Sequence, residues 1–293
     1  MQVSLHIGVH STDEDRLLKG LLRNSDDFRK DGVSTPGPGR YRTLLTDALN
    51  SLGETAPNAE AREVLLDAIL DDDPDKVRRL VLSHENIFSV PKQALTGGRL
   101  YRRAERRLVA LRRLFAGDDL EIFVGLRDFA TWLPAVYAAT PLNSFDEFLG
   151  GLDPMHLRWS DLIGRIRASM PDVPLTVWCN EDTPLIWGQI IREMAAIEME
   201  RKSTGAFDLF SEIINPEGMT RFRAFLKENP VINEAQKRRV MVAFLDKYAL
   251  DDAIEQELDL PGWDEAYVDM LTELYDEDVF EIGRMSGVTL ITP

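Results

Sequence analysis

The chain has 293 residues, 44% of them hydrophobic, which suits a soluble globular protein with one large α/β domain or a domain with an appended lobe. Its formal net charge of −16 argues against nucleic acid or an anionic membrane as partner, because both attract lysine and arginine. One cysteine, Cys179, excludes an intramolecular disulfide and a multi-cysteine zinc site. Neither a signal peptide nor a membrane-spanning run is recognisable, so we expect a cytoplasmic protein.

Strands and helices alternate through the first two thirds of the sequence. Short apolar runs predict buried strands at residues 3–9, 79–82, 120–126 and 174–179. Amphipathic spacing predicts a helix that includes Leu17 to Leu22, and further helices at residues 44–52, 59–70, 100–115, 129–139, 159–170 and 184–198. Residues 141–154 are expected to form a loop. This alternation predicts an α/β fold whose mainly parallel sheet is covered by helices on both faces.

The pattern changes after Met199. We predict an α/β core over residues 1–199 and a helical, acidic region over residues 200–293, which is a subdomain, a lid or part of the same domain. Helices are expected at residues 218–228, 233–245 and 263–275, with a short edge strand at 287–291. Residues 246–293 hold 14 acidic residues against two basic ones, a net charge of −12.

That acidic tail has two interpretations. It is a solvated surface, which is the usual meaning of a charge run, or it is a docking face for a basic partner. One such partner lies in the chain itself. The helix predicted at residues 100–115 carries outward-facing arginines at positions 102, 103, 106, 107, 112 and 113. If the tail docks there, ion pairs hold the two parts of the chain together.

The first strand leads into a segment with the frame of a phosphate-binding loop. Gly8 lies between an apolar strand and an amphipathic helix, an arrangement in which backbone N–H groups and the helix dipole can hold a phosphate. The expected lysine and hydroxyl groups are missing. Asp13, Glu14 and Asp15 stand at the start of the helix instead. Carboxylates suit a helix N-terminus, but they would repel a phosphate.

The residues His6, Ile7, Gly8 and Thr12 make this opening resemble that of bacterial sulfotransferase-family proteins. Their loop, of the type His-Ile-Gly-x-x-Lys-Thr-Gly-Thr-Thr, holds the sulfate donor 3′-phosphoadenosine 5′-phosphosulfate. In this register the family's lysine falls on Ser11, and its glycine and last two hydroxyl residues fall on the three acids. Further similar segments, over the first half of the chain, are at residues 32–33, 36–41, 82–85, 123–127 and 132–137.

The resemblance implies a sheet of P-loop or sulfotransferase type. It also implies donor-binding positions, which are Gly8, His10, Ser11, Thr12 and Arg127. Arg127 matches an arginine that the family uses on the donor's 3′-phosphate, whereas Ala135 replaces the accompanying serine. The fold-forming residues therefore match the family, and several donor-binding residues do not.

Residues after the predicted strands are expected to meet at one edge of the sheet. Glu85 is the candidate catalytic base, since a sulfuryl acceptor hydroxyl must lose a proton, and His84 is a second acid–base candidate. Alternatively, Glu85 caps a helix or pairs with Arg127, and His84 is a packing residue. We expect a negative cleft lined by the residues His10, Asp13, Glu85, Arg127 and Glu181. At least one carboxyl group there should have a raised pKa, and a cation or amine should be preferred over a phosphate.

No metal site is predicted, because no pair of ligand-type residues has the spacing of a known metal motif. Two functions remain open. In the first, the chain has lost donor binding, needs no cofactor and binds an unidentified protein or small molecule. In the second, it is a divergent sulfotransferase that uses the sulfate donor, with Glu85 as base and Arg127 on the donor. Three acids at the phosphate position favour the first.

Overall fold

A computed structural model describes residues 1–52, 60–71, 73–199, 201–254, 260 and 262–293. Its single sheet has six strands in the order β2-β3-β1-β4-β5-β6, and every neighbouring pair is parallel. The strands are β1 (Gln2–His6), β2 (Val33–Ser34), β3 (Arg79–Ser83), β4 (Asp119–Leu126), β5 (Leu175–Cys179) and β6 (Val288–Ile291). The predicted parallel α/β sheet is confirmed.

Helices connect the strands and extend beyond β5. The first eight are α1 (Arg16–Arg23), α2 (Ser25–Arg29), α3 (Pro38–Leu52), α4 (Ala61–Ile69), α5 (Ala104–Leu114), α6 (Phe129–Ala138), α7 (Phe145–Leu149) and α8 (Trp159–Ser169). The others are α9 (Thr183–Ala195), α10 (Asp208–Ile213), α11 (Pro216–Glu228), α12 (Glu234–Tyr248), α13 (Asp251–Ile254) and α14 (Glu265–Ile282). None of the described helices is both long and apolar enough to cross a membrane.

Both faces of the sheet are buried, because successive residues of each strand point to opposite sides. Leu80 and Leu82 join the larger core, which also contains side chains from α3, α4, α5, α6, α8 and α14. Val81, between them, joins the second core with residues of α1, α2 and α9. This is why the strands are continuously apolar rather than alternating, and it confirms the double covering.

The region after residue 200 has two structural roles. Phe210, Phe222 and Met241 form a small separate core with their neighbours in α10, α11 and α12. Further along the chain, α14 packs against α6 and α8, and β6 pairs with β5 as an edge strand. The predicted edge strand is thus confirmed. The division at residues 1–199 and 200–293 stays a prediction, and Glu200 lies outside the described residues.

Several sequence-based boundaries need correction: the helix predicted at residues 263–275 extends to Ile282, and the helix predicted at residues 100–115 begins at Ala104. Residues 141–154 are not all loop: Ser144 accepts a hydrogen bond from the Glu147 backbone N–H at 3.1 Å and starts α7. Helix α3 begins at Pro38 rather than at residue 44, because proline is well suited to a first turn. The first strand ends at His6 instead of residue 9. The predicted helix start at Ala59 lies outside the described residues.

Candidate functional site at the strand ends

The carboxyl ends of β1, β3, β4 and β5 meet at one edge of the sheet. His6 at the end of β1 is in register with Ser83 of β3 and Phe123 of β4. The loop after β1 therefore lies between the segments that follow β3 and β4. The connection from β1 leads toward β2 on one side of the sheet, and the connection from β3 crosses β1 to β4 on the other side. Such a reversal is where open parallel sheets bind ligands.

The loop from β1 to α1 has an unusual backbone. Gly8 has φ of +103°, and a Cβ atom there would lie 3.5 Å from the carbonyl oxygen of Glu85. Ser11, Glu14 and Asp15 also have positive φ, at 57°, 48° and 64°. Non-glycine residues in this region cost free energy, so the surrounding contacts must hold the loop in place. The loop is thus closely packed on the segment that contains Glu85.

Asp13 occupies the start of helix α1. Its carboxylate accepts a hydrogen bond from the Leu17 N–H at 3.1 Å, and its carbonyl accepts one from the Arg16 N–H at 2.7 Å. A bound phosphate would need the same free N–H groups at a helix N-terminus. The chain's own carboxylate therefore takes this position.

Asp15 is held by Arg42 of helix α3. Two guanidinium nitrogens of Arg42 lie 2.5 and 3.0 Å from the two carboxylate oxygens, and Arg42 Nε donates to the Ser83 carbonyl at 3.0 Å. The hydrogen bonds from Arg42 lower the pKa of Asp15 below its ordinary value. The arginine thereby connects the first loop to the end of β3.

The two candidate acid–base residues follow β3 directly. Glu85 is half-buried, and its pKa is raised by burial and by the nearby charges of Asp13 and Asp15. The pKa of His84 is lowered to about 4 by burial and by Arg42. His84 Nε2 lies 2.9 Å from the Thr46 hydroxyl, so the imidazole is neutral near pH 7 and faces helix α3. Of the two, Glu85 is the one placed beside the first loop.

His10 lies in the core rather than at the rim of the loop. It is 1% exposed; its Nδ1 lies 2.8 Å from the Tyr101 hydroxyl and its Nε2 lies 3.1 Å from Asn86 Oδ1. Trp132 Nε1 donates to the His10 carbonyl at 3.0 Å. Both ring nitrogens therefore have internal partners, and the residue anchors the loop to the larger core.

The remaining predicted donor-binding groups also make internal contacts. The Thr12 hydroxyl donates to the Val9 carbonyl at 2.8 Å. Arg127 NH1 donates to the Ser11 carbonyl at 2.6 Å, and Arg127 Nε donates to the Thr131 hydroxyl at 2.9 Å. Burial lowers the pKa of Arg127, while Glu181 and Glu14 oppose that shift. Arg127 therefore stabilises the loop backbone that a donor would have to approach.

Helix α14 reaches the same edge, which sequence reasoning did not indicate. Glu181 accepts from the Asp128 N–H at 3.0 Å and contacts the Tyr275 hydroxyl at 3.1 Å. Asp128 accepts from the Thr272 hydroxyl at 2.6 Å. Asp128 precedes α6 and accepts from the Ala130 N–H, a local capping signal that could have been recognised. Nothing in the sequence signals Tyr275 or Thr272, which are distant along the chain.

The expected rise in carboxyl pKa at this edge is confirmed. Burial raises the pKa of Glu181, as it does for Glu85. A cavity of about 540 Å³ lies at the opposite edge of the sheet, beside Gln2, Arg62 and Asp119. A cleft at the strand ends stays a prediction. Among the residues that the structure describes, no group of three or more His, Cys, Asp or Glu side chains is arranged to hold a metal ion.

The fold and this edge define the chain as an α/β protein with one parallel, doubly covered sheet and an acid-rich loop after its first strand. No protein-family model matches the chain, and no curated protein matches it either. The resemblance to sulfotransferases therefore depends on the residues of the first half of the chain.

Proposed function

We propose that this chain is a sulfotransferase-like protein that has lost standard donor binding and acts by binding a protein or small molecule. The observation that carries the proposal is the Asp13 carboxylate at the N-terminus of α1, bonded to the Leu17 N–H. A donor phosphate would have to displace it. Two negative groups about 4 Å apart repel by about 4 kcal/mol at an effective dielectric constant of 20.

The cations near the loop support the same proposal. Arg42 contacts Asp15 and the Ser83 carbonyl, and Arg127 contacts the Ser11 carbonyl. Contact with a donor phosphate would compete with these bonds. A cationic ligand, such as an amine or a basic side chain, would instead gain from the acids at this edge.

Calorimetric titration with 3′-phosphoadenosine 5′-phosphosulfate in metal-free buffer tests the loss of donor binding. We expect no binding in the micromolar range. A variant with Ser11→Lys and Asp13→Gly restores two features of the family loop and frees N–H groups of α1, so it should gain affinity. Micromolar binding by the unaltered chain would contradict the proposal.

The second candidate function is a divergent sulfotransferase with Glu85 as general base. It is favoured by the raised pKa of the half-buried Glu85, because a base whose pKa is nearer to neutral is better matched to proton transfer. A cation that bridges the acids and the donor would be required. Donor binding with and without a divalent metal, followed by a sulfate-transfer assay of the Glu85→Gln variant, tests this function. Metal-dependent transfer that is lost in Glu85→Gln would establish it.

A further inference from the structure

The outer face of helix α14 carries an acidic stripe, which we define as Glu265, Asp269, Glu273, Glu277 and Glu281. At this spacing each residue is rotated by about 40° from the one before, so the five wind along the outward half of the helix, and all five are exposed. None of them has an ion-pair partner among the residues described. Like charges at this spacing destabilise a helix. A cationic surface placed against the stripe would remove that repulsion.

The opposite charge is concentrated at the start of helix α5. The arginine patch, defined as Arg102, Arg103 and Arg106, is exposed, and within the described parts of the chain these three side chains have no hydrogen-bond or ion-pair partner. Burial, and then the charges of Arg103 and Arg106, lower the pKa of the neighbouring Arg107. The patch is therefore a crowded cationic surface on a protein whose net charge is −16.

Within one copy, the two surfaces are directed to solvent rather than to each other. Helix α5 packs against α3 and α8, and α14 packs against α6 and α8. Leu108 and Leu111 of α5, like Tyr275 and Ile282 of α14, point into the same core. Their charged faces consequently point outward.

Other arginines of this region also have partners outside the acidic tail. Arg112 pairs with Asp172 at 2.7 Å, Arg107 donates to Asn50 at 2.6 Å, and Arg99 lies 3.7 Å from Glu105. The acids of the tail that lie at positions 255, 257 and 259 are outside the described residues. In these contacts none of the three arginines pairs with a residue of the acidic tail, and the docking of the tail onto this helix stays a prediction.

We propose that the acidic stripe of one copy docks onto the arginine patch of a second copy. The acids of the stripe recur about every 6 Å along α14, and the patch holds three cations close together at the start of α5, so several opposite charges can meet in one interface. Since each copy carries both surfaces, a two-fold arrangement uses each contact twice and closes as a dimer. Neither surface includes a residue of the first loop, so the inference does not require that the donor binds.

The net negative charge of each copy opposes association. This repulsion acts over longer distances than the attraction between the acidic stripe and the arginine patch. At about 0.1 M salt the screening length is about 10 Å, which weakens repulsion between distant charges more than attraction between touching ones. We therefore expect a dimer that forms near 0.1 M salt and dissociates as the salt concentration approaches about 1 M.

Sedimentation velocity of the full chain over a range of concentrations and salt tests the proposal. Replacing Arg102, Arg103 and Arg106 by Glu should raise the dissociation constant at least tenfold. The matched control replaces three exposed basic residues of α11 and α12, Arg223, Lys227 and Arg239, by Glu, which gives the same change in charge. That control should weaken association less than the patch variant does.

A mixing experiment separates lost contacts from lost folding. In a second variant, Asp269, Glu273 and Glu277 are replaced by Lys. Each variant alone should be monomeric, but a mixture should form heterodimers, because an unaltered stripe then meets an unaltered patch and the reversed surfaces also match. A monomeric unaltered chain at every concentration, an equal effect of the control, or no heterodimer in the mixture would overturn the proposal. So would binding of an added acidic peptide to the patch of a chain that stays monomeric.

Discussion

Asp278 of helix α14 caps helix α8: its carboxylate lies 2.6 Å from the Trp159 backbone nitrogen and 3.1 Å from that of Ser160. The residue preceding α8, Arg158, provides no side-chain cap of its own. A group more than a hundred residues later in the sequence therefore satisfies the first N–H groups of this helix. The contact is buried, with Asp278 only 3% exposed, so water cannot replace it readily.

Replacing Asp278 by Ala should destabilise the fold, because it leaves buried N–H groups of α8 unpaired. We expect a loss of about 1–3 kcal/mol in the free energy of unfolding, measured by urea denaturation with circular dichroism. The control is Asp246→Ala, at an exposed position of helix α12, which should change stability by no more than about 0.5 kcal/mol. Equal effects of the two substitutions would mean that the cap does not stabilise the protein.

Arg42→Ala should cost about 1–3 kcal/mol, since it removes both the paired hydrogen bonds to Asp15 and the bond to the Ser83 carbonyl. Arg40 is a close control on the same helix, because the side chains of Arg40 and of its ion-pair partner Asp71 are each about half exposed. Arg40→Ala should cost about 0–1 kcal/mol. Thermal unfolding of the two variants, compared with the unaltered chain, measures the difference. A loss for Arg40→Ala as large as that for Arg42→Ala would contradict the assignment of Arg42 as a clamp.

His84 should make stability depend on acidity between about pH 6.5 and pH 4. Its pKa is about 4 in the folded chain and near 6.5 when unfolded, so the unfolded state takes up the proton first as pH falls. The contribution of the neutral His84 ring to the free energy of unfolding is complete above pH 6.5. It decreases by up to about 1.4 kcal/mol per pH unit as the pH falls toward 4. The pH dependence of unfolding should become shallower in His84→Gln.

The ring of His84 also allows a direct measurement. Its nitrogen chemical shifts should report a neutral imidazole down to about pH 5. A charged ring at pH 6 would refute the assignment.

Glu85→Gln should stabilise the protein at neutral pH and change little at pH 4. Burial and the charges of Asp13 and Asp15 raise the pKa of Glu85 in the fold above its unfolded value. A raised carboxyl pKa favours folding while the group is protonated, and that advantage disappears as pH rises through the folded pKa. Glutamine removes the cost of the charge. The difference in unfolding midpoint between variant and parent should therefore increase from pH 4 to pH 7.

The sheet could be predicted because its signals are local. Apolar runs such as β4 are long enough to be recognised as strands, and segments with helical periodicity lie between these runs. β2 was missed because two residues carry no periodicity. Helix α7 was missed because five residues between glycines and prolines look like a loop. β2 has no pattern of its own, whereas α7 has a local start signal in Ser144, whose side chain accepts a hydrogen bond from the Glu147 N–H.

The site was harder to predict, because its side chains bond to distant partners. The acids at positions 13–15 indicated that a phosphate would be disfavoured, and their roles as a cap and as an ion-pair partner depend on Leu17 and Arg42. The hydrogen bond between His10 and Tyr101 spans 91 positions. The position of His10 in the core could therefore not be derived from the residues next to it in sequence.

The place of β6 in the sheet has a consequence for synthesis of the chain. β5 ends at Cys179, and its edge partner β6 begins only at Val288, after the whole helical segment has been made. During translation, β5 therefore emerges long before the strand that covers its edge. An uncovered strand edge can pair with other chains. Over that interval the edge of β5 is uncovered and α8 lacks the Asp278 cap. The nascent chain is therefore most prone to aggregate before the last hundred residues have folded.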